Sequence, residues 1–127
     1  NNTSVRVTET SALEAATVLT TKANLQAYHW AGDLPPVGKA YRPSLAYRMS
    51  LVGEGRFDAM MTFRPTWEWD IAAGALIIAE AGGLATDGFG GPLQFNNQGA
   101  QVDGVLAGNT VVHQKLVDLR SSRPMSA

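Results

Sequence analysis

The stretch that most constrains this chain is residues 63–83, FRPTWEWDIAAGALIIAEAGG. It opens with a proline, two tryptophans and the acidic pair Glu68 and Asp70, runs on over 71–81 with Gly74 as its one helix breaker, and stops on Gly82-Gly83. An acidic residue in the first turn and glycine just past the end mark a helix. Its residues are apolar or small on every side, which predicts a helix buried all round. Ala72, Ala73, Gly74 and Ala75 carry so little side chain that a neighbouring element can approach closely.

Asp70 stands out in that setting. At a helix start, free backbone N–H groups and the macrodipole favour an anion, so a helix cap is one reading. The other is a metal ligand or catalytic carboxylate held at the mouth of the helix. Magnesium takes oxygen from only one or two carboxylates, with phosphate and water completing its shell. Asp70 could supply one such oxygen but not a whole site.

The 127 residues suffice for one domain with a real core. The 10 basic and 11 acidic residues nearly cancel, so no polyanion-binding surface is indicated and no nucleic acid polymer is expected as partner. Without cysteine there is no disulfide framework and no thiol chemistry. No apolar run approaches the ~18 residues of a membrane span. The chain begins Asn1-Asn2-Thr3, without a signal-peptide pattern. A cytoplasmic location away from membranes is the expectation.

Residues 4–8 alternate and predict a strand, with Arg6 at a solvated position. Residues 11–14 carry a capping-box pattern, Ser11 to Glu14, before a short helix. A short strand is predicted over 16–19, and a helical turn or loop over 24–30. His29 beside Trp30 reads as packed or exposed rather than catalytic. Residues 32–38, with Pro35-Pro36, form a loop. Ser44 follows Pro43 and can cap a helix over 45–54 with Leu45, Met49 and Val52 on its apolar face. Residues 57–63 are apolar on both faces and predict a central strand. Further on come a short strand at 84–86, turns at Asp87-Gly88 and Gly90-Gly91-Pro92, and a polar loop over 95–101. A buried strand at 105–107 precedes a last helix over 111–119, capped by Thr110, with His113 on its surface; a tail fills 121–127.

The sequence Trp69-Asp70-Ile71-Ala72-Ala73-Gly74, followed by Glu80-Ala81-Gly82-Gly83, resembles the C-terminal signature of the inositol monophosphatase family. Its members are magnesium-dependent, lithium-sensitive phosphomonoesterases. The resemblance extends over Ser44-Leu45-Ala46-Tyr47-Arg48, Val52-Gly53-Glu54-Gly55, Phe57-Asp58-Ala59 and the segment from Gly104 to Asn109. It implies that Asp70 is a catalytic metal ligand for Mg2+. It places Ser44 and Leu45 at a strand-to-helix turn that contacts substrate, where exposed N–H groups suit phosphate or hydroxyl oxygens.

Phe63-Arg64-Pro65-Thr66, with Trp69-Asp70 after it, resembles the 3'(2'),5'-bisphosphate nucleotidase branch of the family. On that pattern Arg48, Arg64 and Thr66 join Ser44 and Leu45 as substrate-binding candidates, although Arg48 and Arg64 read equally as solvated arginines. Two departures bear on the substrate. Inositol-specific members carry a hydroxyl-binding glutamate where this chain has Phe63, and the nucleotidase branch carries an arginine where it has Thr62. Trp67 and Trp69 read as packing residues rather than base-stacking platforms.

The expected fold is an α/β layered helix/sheet domain, the C-terminal half of an inositol-monophosphatase-like α/β/α/β/α sandwich. The family's Glu-Glu pair and Asp-Pro-(Ile/Leu)-Asp-Gly-Thr motif, which supply its other metal ligands, are absent from this sequence. Residues 1–127 are therefore expected to be the C-terminal domain of a larger phosphatase acting on a small phosphorylated metabolite, either a bisphosphate nucleotide or inositol 1-phosphate. Apolar surface bared by the absent half makes a homodimer the expected assembly. From another class, the chain could be a catalytically inactive module or assembly half.

Overall fold

The computed structural model describes residues 5–93 and 101–121. Five strands form one mixed sheet in the order β2-β1-β3-β7-β5: β1 Thr17–Leu19, β2 Gly38–Ala40, β3 Ala59–Thr62, β5 Leu84–Thr86 and β7 Val105–Gly108. β1 runs parallel to β2 and β3, while β7 runs antiparallel to β3 and β5. A separate two-stranded ribbon pairs β4 (Thr66–Trp67) with β6 (Gln101–Val102). The helices are α1 (Leu45–Gly53), α2 (Glu68–Glu80) and α3 (Thr110–Leu119).

Strand alternation sorts the interior into two cores. Leu19, Met60, Val105 and Ala107 face α1 and α2, packing with Met49, Val52, Ile71 and Ile78. Val18, Ala59, Met61 and Leu106 face α3, packing with Trp30, Val112 and Leu116. The predicted α/β layering and the central place of β3 both hold. β3 is central because both its faces are apolar.

α1 and α2 lie side by side and point the same way, since Gly74 faces Met49 and Gly53 faces Ile77. A Cβ on Gly74 would come within 2.6 Å of the Met49 sulfur and 2.9 Å of its Cβ. Of the small residues 72–75, Gly74 makes that approach and Ala75 packs against the core, while Ala72 and Ala73 are exposed.

Several expectations change. α2 is not buried all round; only Ile71, Gly74 and Ile78 are, Ile77 is partly covered by Gly53 of α1, and Trp69 and Leu76 are exposed. Residues 5–8 form no strand: the Val7 N–H donates to the Ala81 carbonyl and Thr8 turns toward Asp58. The Ser11–Glu14 pattern yields a three-residue 3-10 turn without a side-chain cap. β2 occupies part of what reads as loop. Asn109, not Thr110, caps α3, because Asn109 keeps the extended backbone a cap requires and accepts from the Val112 N–H at 2.8 Å. His113 is buried, not on the surface. Of the polar loop, 95–100 lies outside the described residues and Gln101 opens β6; of the tail, 122–127 lies outside them.

Candidate metal and phosphate site

The parallel strands β1, β2 and β3 end at one edge of the sheet. α1 follows β2 and α2 follows β3, so both helices begin at that edge. Ligands of open α/β sheets bind outside the carboxyl ends of the strands. One turn before the Met49–Gly74 contact stand Leu45 on α1 and Asp70 on α2, so the two helix starts are neighbours.

Asp70 is exposed in the first turn of α2. It is not a cap: the N-cap position is Trp67 and no side chain closes it. Among the described residues its carboxylate makes no hydrogen bond and no ion pair, which leaves the oxygens available to a ligand.

Ser44 caps α1, its Oγ accepting from the Tyr47 N–H at 3.4 Å. Its φ of 71° makes it the one non-glycine residue with positive φ among those described. A side-chain-bearing residue held there stores about 1–3 kcal/mol of strain. The Leu45 side chain packs into the core beneath α1, so only its backbone faces the site. Arg48 is half-buried rather than solvated: its Nε donates to the Ser44 carbonyl at 3.4 Å and its guanidinium lies over the Tyr41 ring at 5.5 Å. Burial pushes its pKa below the usual arginine value, with Tyr41 opposing. Arg64 is exposed, and its carbonyl accepts from the Thr66 hydroxyl at 2.9 Å. Those two sit on the turn between β3 and α2, at the same edge.

Phe63 faces away from this edge, into the α3-side core, against His29 and Trp30 at 4.9 and 5.6 Å between ring centroids. His29 is partly exposed and lies against the Phe63 ring, and its pKa falls through burial and the nearby charge of Arg120. Trp67 and Trp69 stack on each other, 4.8 Å apart and 9° from parallel, and both are exposed. Their packing is mutual and not part of the core.

Sequence reasoning missed two polar centres. Asp58, buried before β3, accepts from the Thr8 hydroxyl at 2.6 Å and the Thr17 N–H at 2.7 Å. Arg120, buried after α3, lies among aromatic rings at the site's end of the sheet. Asp58 falls in the Phe57-Asp58-Ala59 segment of the resemblance, which gives it no role, and Arg120 belongs to no recognisable local pattern.

Among the described residues no group of three or more His, Cys, Asp or Glu side chains is placed to hold a metal. The donor chemistry at Asp70, one exposed carboxylate beside two helix starts, fits a contribution to a magnesium site that other residues and phosphate complete. It does not fit a whole site.

The model of the inositol monophosphatase family matches residues 2–124, and the chain belongs to that family. It is 42% identical over 69 residues to the Nus factor SuhB of Pseudomonas aeruginosa, covering 54% of this chain and 23% of that protein. It is 32% identical over 105 residues to an inositol monophosphatase of Dictyostelium discoideum, covering 83% of this chain and 32% of that one. In structure it is similar to the extragenic suppressor protein suhB of Bartonella henselae. The TM-score there is 0.71 at 27% identity, over 93% of this chain and 47% of the other. The chain thus spans less than half the length of these relatives. The expected α/β fold of that family holds.

Proposed function

We propose that this chain is the C-terminal half of a magnesium-dependent phosphomonoesterase. The observation that carries the proposal is the Asp70 carboxylate, exposed and uncommitted at the start of α2, beside the start of α1, at the carboxyl edge of the sheet. Magnesium, when bound, supplies charge neutralisation and polarisation of the phosphoryl oxygen. In this reading Asp70 holds one ion. The Ser44 and Leu45 backbone N–H groups take a phosphate or hydroxyl oxygen at the start of α1. Arg48 and Arg64 flank them with positive charge, and Thr66 fixes the turn that presents Arg64. An N-terminal half supplies the remaining carboxylates and activates the attacking water.

For the substrate we favour a small phosphorylated metabolite with a second phosphate, such as a 3'(2'),5'-bisphosphate nucleotide. Arg48 lies folded over the Ser44 cap, where a second anionic group would meet it, and Phe63 offers no hydroxyl-binding oxygen. A bifunctional NADP phosphatase/NAD kinase of Methanococcus maripaludis, 36% identical over 81 residues, is named for a nucleotide substrate. Inositol 1-phosphate is the second reading, supported by the inositol-1-monophosphatase of Mesorhizobium japonicum, 37% identical over 89 residues. The protein is proposed to act in the cytoplasm as a homodimer, off membranes and nucleic acid polymers. Among the described residues no helix is long and apolar enough to cross a membrane.

The test is Asp70→Asn in the protein that carries both halves. Loss of a direct metal ligand should lower magnesium-dependent phosphate release at least about a hundredfold, with unchanged circular dichroism. Near-wild-type turnover refutes the assignment.

A further inference from the structure

We infer that Arg120 is a positioning residue that aims Asp70 by pinning the ribbon from which α2 begins. Arg120 follows α3 and is buried. Its guanidinium lies over the Phe63 ring at 3.7 Å, the Phe89 ring at 4.5 Å and the Trp30 ring at 5.6 Å. Its Nε donates to the Gly88 carbonyl at 2.7 Å, and a second nitrogen donates to the His29 carbonyl. One side chain thereby joins three segments to the end of α3.

Two of those segments are the roots of the β4–β6 ribbon. Phe63 is the first residue after β3 on the way to β4, and its N–H is held by the Asn24 side chain at 3.1 Å. Gly88 donates its N–H to the Asp103 carbonyl at 3.0 Å, just past β6. Between these roots the ribbon pairs Thr66 with Val102 and Trp67 with Gln101. α2 starts at the next residue, Glu68, and Asp70 lies in its first turn. A shift at the roots therefore turns the helix start that carries Asp70.

The residue type supports a geometric role. A buried cation is costly, and an apolar side chain of similar size often serves stability as well or better. Burial pushes the Arg120 pKa down to about 10, against the opposing effect of the Asp87 carboxylate. What arginine offers in return is a planar fork, able to donate to two carbonyls while its faces stack on rings. A methionine fills the space but makes neither bond.

The inference rests on the reading of Asp70 as a metal ligand. It is tested in the protein that carries both halves, using Mn2+ as the probe because it takes the same oxygen ligands. Mn2+ affinity is read by electron paramagnetic resonance. The 19F spectrum of 5-fluorotryptophan-labelled protein reads the Trp67–Trp69 stack on the ribbon. Arg120→Met should weaken Mn2+ binding about tenfold, as loss of an orienting partner does, and shift the Trp67 and Trp69 resonances. Arg120→Lys, which keeps the charge without the fork, should give a smaller change in the same direction. A folded Arg120→Met with unchanged affinity and unchanged Trp67 and Trp69 signals overturns the inference. If Arg120→Met does not fold, an unchanged Arg120→Lys overturns it. Asp70→Asn separates the two claims. If it binds Mn2+ as the wild type does, the Asp70 reading fails, and with it any role of Arg120 in metal binding.

Discussion

Helices α2 and α3 cover opposite faces of the same sheet, yet they end differently toward solvent. α3 buries Val112, His113 and Leu116 and turns Gln114, Lys115 and Asp118 outward. α2 buries Ile71, Gly74 and Ile78 but leaves Leu76 60% and Trp69 63% exposed, with Ala72, Ala73 and Ala79 around them. Beside it, a groove of about 660 Å³ runs between α2 and β5, lined by Ala72, Leu76, Ala79, Leu84 and Leu93. α3 is finished against water and α2 is not. The all-round apolar pattern of α2 suits a middle layer, with this sheet on one side and a further layer on the other. That agrees with a chain covering 47% of a solved relative and with a proposed N-terminal half that lies against α2.

The comparison can be broken by substitution on each face. Ile78, fully buried toward the sheet, should cost about 2–5 kcal/mol when changed to alanine, read by urea unfolding of the chain with or without the other half. Leu76→Ala should be context-dependent. In residues 1–127 alone its effect should stay within about 0.5 kcal/mol, and in the longer protein it should rise to about 2 kcal/mol or more as a core truncation. Equal small effects in both would leave α2 a surface helix. Asp58→Ala should cost about 1–3 kcal/mol wherever it is made, because it strips the part-buried Thr17 N–H of its acceptor.

The α3 side is sharpened by pH. His113 shares a 2.8 Å contact with the Thr86 hydroxyl through Nε2, while its buried Nδ1 has no partner among the described residues. The Thr86 hydroxyl also lies within hydrogen-bond distance of the Asp87 carbonyl, at 2.9 Å, and the Leu106 carbonyl, at 3.4 Å. Burial lowers the pKa of His113 below its ordinary 6.5. A lowered histidine pKa means the fold prefers the neutral ring. Its contribution is complete above pH 6.5 and is lost as pH falls below that value, at a slope of at most about 1.4 kcal/mol per pH unit. His29 shifts the same way but is partly exposed, so His113→Leu should remove most of the acid limb in a pH series of thermal melts.

What could be read from the residues was local. The Ser44 cap, the apolar β3 and the start and stop of α2 each lie within a short window. The centres that were missed join distant segments. Asp58 holds Thr8 and Thr17, 50 and 41 residues away, and His113 meets Thr86 across 27. Arg120 reaches the His29 carbonyl across 91. Periodicity carries no signal for such pairs. The outer face of α2 misled for a related reason: hydrophobicity reports that a surface is to be covered, not by which chain segment. Within the candidate site, residue types were legible and their convergence was not. It follows from the parallel pairing of β1, β2 and β3 and from α1 and α2 running the same way, as the Met49–Gly74 and Gly53–Ile77 contacts disclose.

The most direct test of the proposed function is magnesium-dependent phosphate release, measured in parallel on residues 1–127 and on the protein carrying both halves. Each is given 3'-phosphoadenosine 5'-phosphate and inositol 1-phosphate. The proposal predicts release by the longer protein only, faster from the nucleotide and abolished by chelation of magnesium. Release by residues 1–127 alone, or none by either protein, would contradict it.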